Sequence, residues 1–142
     1  MTKLAVIIIS FLLLQMNCQA SYGEGYVLIS HPDNPVEQLT SLEIKRIFLG
    51  KMKKWPNGSA IQVVVNINKE IHPHVTKKFF HKSPSQYSNY WKQILFSGKS
   101  MLPVFVKNDE DAKRYVGKYE NTLSFISVNN YDNTLSKIVI VQ

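Results

Sequence analysis

Four histidines are the side chains in this sequence best suited to proton transfer or metal binding. His72 and His74 flank Pro73, and His81 follows on the same predicted helix. Two histidines at positions i and i+2 do not share a helical face, and no cysteine or well-placed carboxylate completes a tetrahedral ligand set. The pattern therefore favours solvated histidines over a metal site.

Covalent or acid–base catalysis has no clear residue pattern in the chain. No serine lies in a Gly-x-Ser-x-Gly elbow, and no glycine-rich loop of the phosphate-binding or dinucleotide-binding type is present. Spacing alone leaves open a carboxylate pair for glycoside hydrolysis. However, Glu43 and the run Asp109–Asp111 stand where acidic residues begin helices. The sequence favours a binding protein without a cofactor over an enzyme.

The helix between residues 41 and 49 carries the clearest local signals. Thr40 and Glu43 have the spacing of a capping box, and Gly50 stands where a helix ends in the left-handed conformation. Buried positions are expected at three- and four-residue spacing, at Ile44, Ile47 and Phe48.

Strands and helices alternate along the rest of the chain. Apolar runs predict strands at residues 26–29, 61–65, 123–128 and 138–141. Helices are predicted after Pro73, Ser83 and Asn108, with inward-facing residues Val75, Phe79, Phe80, Tyr87, Tyr90, Trp91, Ile94, Leu95, Ala112, Tyr115, Val116 and Tyr119. The order β-α-β-α-α-α-β-β predicts an α/β fold with a mostly parallel sheet.

The N-terminal segment Met1–Ala20 has the three parts of a secretory signal peptide: Lys3, an apolar run from Leu4 to Leu14, and a small residue at Ala20. We therefore expect residues 1–20 to be removed and residues 21–142 to form one exported domain, periplasmic or otherwise secreted. No later segment is apolar enough to span a membrane.

The expected mature domain is basic and has no cysteine. Removing Lys3 lowers the formal charge from +7 to +6, and Cys18 leaves with the leader. A basic surface suits anionic partners. Export and the scattered lysines argue against nucleic acid, because the aromatic spacing of a single-strand binding surface is missing.

One ordered set of motifs resembles a known family. Residues 39–51 read L-T-S-L-E-I-K-R-I-F-L-G-K, and Trp55-Pro-Asn-Gly58 and a valine-rich strand follow. Later come Phe79-Phe80, Ser83-Pro-Ser-Gln86, Tyr90-Trp91, Phe96-Ser-Gly-Lys99, Pro103 and Ser124-Phe-Ile-Ser127. The chain resembles the phosphate-binding-protein family of exported solute receptors over residues 26–141. The resemblance implies one lobe of a type II periplasmic binding fold, with three α/β/α layers.

The resemblance also implies a ligand and a site. The family binds phosphate for import in a cleft between two lobes, gripping it with a Ser/Gly/Thr-rich turn at a helix start. Here that position reads Asn66-Ile-Asn-Lys-Glu-Ile-His72, which lacks the Ser-Gly-Thr and adds the negative charge of Glu70. A protonated histidine and nearby polar side chains would supply the grip. The implied ligand-binding residues, all expected at one edge of the sheet, are Ser30, His31, Asn68, Lys69 and His72.

Two functions remain open at this point. The first is binding of phosphate or another small oxyanion for transport, with a second copy or a partner protein completing the cleft. The second is a non-transport interaction or adaptor module that reuses one solute-binding lobe.

Overall fold

The computed structural model describes residues 25–98 and 101–142. The predicted signal peptide lies outside the described residues, as does Lys99 of the Phe96–Lys99 motif. Within these two ranges, no helix is both long enough and apolar enough to cross a bilayer.

Six strands form a single sheet in the described part of the chain. They are β1 (Tyr26–Ser30), β2 (Gln38–Thr40), β3 (Gln62–Asn66), β4 (Val104–Val106), β5 (Thr122–Ser127) and β6 (Ser136–Val141). Their spatial order is β2-β6-β1-β5-β3-β4, so β2 and β4 are the edge strands. Neither three-residue edge strand was predicted, because three residues are too few to show a hydrophobic period.

The sheet is mostly parallel, as predicted, with one exception at its centre. β2 and β6, β3 and β5, and β3 and β4 pair in parallel. In contrast, β1 is antiparallel to both of its neighbours, β5 and β6. Of the described strands, β1 therefore runs in one direction and the other five run in the opposite direction.

The helices follow the order that the sequence predicts. They are α1 (Ser41–Phe48), α2 (His72–Val75), a π-helix (Thr76–Phe80) that continues α2, α3 (Pro84–Ser97) and α4 (Asp109–Lys118). Both capping boxes form: Thr40 with Glu43 begins α1, and Ser83 with Gln86 begins α3. A 3₁₀ turn at Val128–Asn130 follows β5.

Helices cover both faces of the sheet, which gives the predicted three layers. One face carries α1, the π-helix and α3 over a large core that includes Ile44, Phe79 and Tyr87. The other face carries α4, whose Ala112 and Val116 pack on a smaller core with Val64. Most of the residues that were predicted to face inward are buried or partly buried. However, Leu95 is 54% exposed and Tyr119 is 44% exposed, so these two predicted core residues lie at the surface.

The end of α1 is tied directly to α3. The Tyr87 hydroxyl donates to the carbonyl oxygen of Phe48 at 2.8 Å, and the Tyr90 hydroxyl donates to that of Leu49. Gly50 follows with φ +72° and lies against the Trp91 ring. These contacts satisfy two carbonyl groups that a helix end otherwise leaves without intrahelical partners.

We expect Gly50→Ala to destabilise the protein more than Gly58→Ala. Both glycines have positive φ, which costs an L-residue about 1–2 kcal/mol. A Cβ at Gly50 would lie 2.7 Å from Cη2 of Trp91, whereas a Cβ at Gly58 meets nothing within 4 Å. Overpacking adds about 1–3 kcal/mol at Gly50 alone. Urea unfolding of the two variants measures the difference, and equal losses would show that Trp91 yields without cost.

Tyr87→Phe is expected to lower the free energy of unfolding by about 1–3 kcal/mol, because the buried Phe48 carbonyl loses its side-chain donor. Tyr90 is only partly buried, so water can replace its hydroxyl, and Tyr90→Phe should cost less. Thermal or urea unfolding checks the order. A larger loss for Tyr90→Phe would contradict this account of the helix end.

Candidate functional site

The structure separates the five predicted ligand residues. Ser30 ends the antiparallel strand β1 and pairs with Leu123, near the start of β5. The backbone N–H of His31 donates to the carbonyl of Thr122. Ser30 and His31 therefore lie at the amino ends of β3 and β5, whereas Asn68 lies at the carboxyl ends of these strands. The expectation that all five residues lie at one edge of the sheet, where the strands end, is corrected. The hydroxyl of Ser30 is buried and has no hydrogen-bond partner among the described residues.

Lys69 and His72 line a depression beside α3 and β4, together with Tyr87 and Phe105. Burial lowers the pKa of His72, so the protonated form that the sequence analysis invoked is disfavoured. His74 points away from this depression into a different cleft. Among the described residues, no group of three or more His, Cys, Asp or Glu side chains is arranged to hold a metal ion.

Asn68 belongs to a partly buried polar network at the carboxyl ends of β3 and β5. Its Nδ2 donates to Oδ1 of Asp109 at 3.0 Å, and Nδ2 of Asn66 donates to the same oxygen at 2.6 Å. Oδ2 of Asp109 accepts from the backbone N–H of Ser127 at 3.1 Å and from Nδ2 of Asn130 at 2.7 Å. Four N–H donors from two segments, residues 66–68 and 127–130, therefore converge on one carboxylate at the start of α4, and we call this set the Asp109 network.

The Asp109 network stabilises a negative charge without a cationic partner in it. Burial alone would raise the pKa of Asp109, which is 5% exposed. Hydrogen bonds from Asn68, Asn130, Asn66 and the Ser127 backbone outweigh burial and hold the pKa below its ordinary value. An internal carboxylate therefore already occupies the amide donors at this edge of the sheet.

A cleft of about 780 Å³ opens beside this network, at the same edge. Its volume lies within the usual range for small-molecule sites. We call it the carboxyl-edge cleft, and it is lined by Gly25, Tyr26, Glu70, Ile71, His74, Lys77, Lys78, Ser127 and Asn129.

Lysines dominate the charge of the carboxyl-edge cleft. Lys77 and Lys78 supply two positive charges and Glu70 supplies one negative charge. The Nζ of Lys78 lies 5.9 Å from the ring centroid of Tyr26, whose own pKa is raised by burial to about 12. The Tyr26 hydroxyl therefore stays protonated at neutral pH, and the cleft keeps its positive charge.

The sequence analysis did not select the lysines of the cleft. Within the π-helix, Lys77 and Lys78 are exposed while the next two residues, Phe79 and Phe80, are buried. The sequence pattern K-K-F-F was the signal that could have indicated two exposed lysines beside two buried phenylalanines. It did not indicate a binding site, because the sequence does not show that the amino end of β1 and the carboxyl end of β5 meet beside these lysines.

Asp109→Asn should lower stability at neutral pH by about 1–3 kcal/mol, because the new amide presents N–H groups to donors. The native carboxylate has a folded-state pKa below its unfolded value of about 3.9, so its contribution is complete above that value and is lost as pH falls through the folded pKa. Urea unfolding of both proteins, from about pH 7 to about pH 2.5, should show the difference shrinking in acid.

A control is built into this comparison. The pKa of Asp132 is also held low, first by its hydrogen bond from Lys113, but Asp132 titrates in both proteins and cancels in the difference. A stability difference that stayed constant across the acid range would contradict the assigned role of the Asp109 carboxylate.

Comparisons with known proteins place the fold. No protein-family model and no curated protein matches the sequence. Among solved structures, a phosphate ABC transporter substrate-binding protein of Clostridium perfringens, solved with bound phosphate, is 21% identical with a TM-score of 0.62. That match covers 82% of this chain and 44% of the other.

Two further structures agree. An ABC-type phosphate transport receptor of Vibrio cholerae is 18% identical, with a TM-score of 0.55 and coverage of 82% and 46%. PstS of Borrelia burgdorferi is 10% identical, with a TM-score of 0.57 and coverage of 82% and 47%. The chain thus spans less than half the length of these proteins. It has the phosphate-binding-protein fold that its sequence motifs resemble, on the scale of a single lobe.

Proposed function

We propose that the protein is an exported solute-binding protein that takes phosphate or another small oxyanion in the carboxyl-edge cleft for transport. The observation that carries the proposal is the convergence of Lys77 and Lys78 on this cleft. Open α/β sheets bind ligands at the carboxyl ends of their strands, which is where the cleft lies. The apolar leader predicted at Met1–Ala20 supports export.

The Asp109 network directs the anion toward the lysines. Its amide donors already bind the Asp109 carboxylate, and a second anion in direct contact with that carboxylate would be repelled. Lys77 and Lys78 are exposed residues, and the ammonium group of a lysine carries N–H donors of the kind that an oxyanion accepts. The proposed ligand site therefore differs from the five residues that the family resemblance implied.

The described residues supply one wall of the carboxyl-edge cleft. The Clostridium perfringens protein that was solved with phosphate is more than twice as long as the part that this chain matches. We propose that a second copy of the chain or a partner protein supplies a second wall and completes the site. With a second copy, the anion would lie between the lysines of the two chains and reduce their mutual repulsion.

Calorimetric titration with phosphate, at low and at physiological salt, is the direct test. We expect saturable binding that weakens as salt is added. The double substitution Lys77→Gln/Lys78→Gln should weaken binding by about tenfold or more, because both charges near the anion are lost. The matched control is Lys53→Gln/Lys54→Gln, an adjacent exposed pair outside the cleft, which should leave affinity unchanged.

The number of phosphates bound per chain tests whether a second copy supplies the second wall of the cleft. One phosphate per two chains would support a site shared between copies, and one per chain would support a complete site in each. No heat and no thermal stabilisation up to millimolar phosphate would remove phosphate as the ligand. Loss of binding in Asn68→Ala/Lys69→Ala, with Lys77 and Lys78 intact, would indicate that phosphate binds at the residues implied by the resemblance and not at the two lysines.

A further inference from the structure

One face of α3 borders an apolar groove that the proposed solute site does not use. Six residues of α3 recur at three- and four-residue spacing and therefore share one side of the helix. They line two adjoining depressions of about 370 and about 240 Å³, which meet at Ser88 and Phe105. We call this surface the α3–β4 groove, and its helical wall consists of Pro84, Tyr87, Ser88, Trp91, Lys92 and Leu95.

Both walls of the groove expose large apolar side chains. Leu95 on α3 is 54% exposed, and Phe105 on β4 is 46% exposed. Phe96, which follows Leu95 on α3, is 87% exposed. From Pro84 to Leu95 the helical wall is ~16 Å long, which matches about five residues of an extended chain. A contiguous exposed apolar surface with a polar rim is a feature of interaction sites.

Among the described residues, the charged side chains that line the groove are two lysines. Residues 71–108, which include α3 and β4, contain no Asp or Glu. Within the groove itself, Lys69 lies in one depression and Lys92 lies in the other. A ligand that carries both apolar side chains and negative charge would match this distribution.

We propose that the α3–β4 groove binds an extended segment of a partner polypeptide that carries both apolar and acidic side chains. The apolar side chains pack between Leu95 and Phe105, and the acidic residues pair with Lys69 and Lys92. Segments of this type gain affinity from a few apolar anchors and gain specificity and association rate from charge.

A second copy of the chain is a poor occupant of the same groove. Two such faces would bring like charges together. Pairing through the edge of β4 is also disfavoured, because the strand has three residues, Pro103 lacks an N–H and Lys107 follows directly. A bilayer is also a poor occupant of the groove. It would contact the exposed Phe96, whereas the groove side chains lie between a helix and a strand.

The groove and the carboxyl-edge cleft are separate surfaces. Lys69 and His72 line the groove, whereas Glu70, Ile71 and His74 line the cleft, so the same segment presents opposite sides to the two. Peptide binding at the groove can therefore be measured independently of phosphate binding, and either can fail without the other.

The experiment is selection of random dodecapeptides displayed on phage against the full-length protein, with counter-selection on the Leu95→Ser/Phe105→Ser variant. Enriched peptides should combine an apolar stretch with Asp or Glu. Fluorescence anisotropy of the synthetic peptides should show affinity reduced by about tenfold or more in the double variant. Lys92→Glu should weaken binding and reduce its salt dependence.

Matched controls distinguish the groove from any exposed apolar or charged residue. Leu42→Ser removes an apolar side chain that is 65% exposed on α1, and Lys137→Glu reverses a charge on β6, so neither should change peptide affinity. Failure to enrich peptides over the double variant would overturn the proposal, as would enriched peptides without acidic residues. A groove-dependent dimer in sedimentation, or binding to phosphatidylglycerol vesicles that the double variant loses, would assign the surface to another occupant and overturn it equally.

Discussion

Two tyrosine hydroxyls of α3 donate to the carbonyl groups of Phe48 and Leu49 at the end of α1. The bond to Phe48 is buried, where an unpaired acceptor is costly, and the bond to Leu49 is partly buried. Tyr87 also stacks on Phe80 of the π-helix, and Phe80 stacks on Phe48 of α1. Three helical segments therefore meet at one place on the sheet. The π-helix that bears the cleft lysines and the α3 face that borders the groove both depend on this junction for their position.

The parts of the fold that were predicted correctly are those whose cause is local in sequence. Thr40 bonds the backbone of Glu43 and Ser83 bonds that of Gln86, and each interaction spans only three residues. Gly50 ends α1 for a similar reason, since its φ of +72° is easily reached by glycine. The α/β class and the buried stripe Ile44, Ile47 and Phe48 likewise follow from periodicity.

The candidate site was less predictable because its causes are long-range. The run Tyr26–Ile29 is buried on both faces, so its side chains do not reveal its direction, and the antiparallel pairing of β1 moves Ser30 and His31 to the far edge. Asp109 was assigned the ordinary role of an acidic residue at a helix start. Its partners Asn66, Asn68 and Asn130 are 21 to 43 residues away in sequence, so the Asp109 network could not be seen without the pairing of β3 with β5.

The geometry of the π-helix determines both which of its side chains are buried in the core and which face the cleft. A π turn contains more residues than an α turn, and along Val75–Phe80 two exposed lysines stand between two pairs of buried residues. Two consecutive side chains can therefore face the cleft while the next two remain in the core. Deleting a single residue here would restore α-helical spacing and rotate one lysine out of the cleft or one phenylalanine out of the core. Chain length at this turn is thus constrained by the core and by the cleft at once.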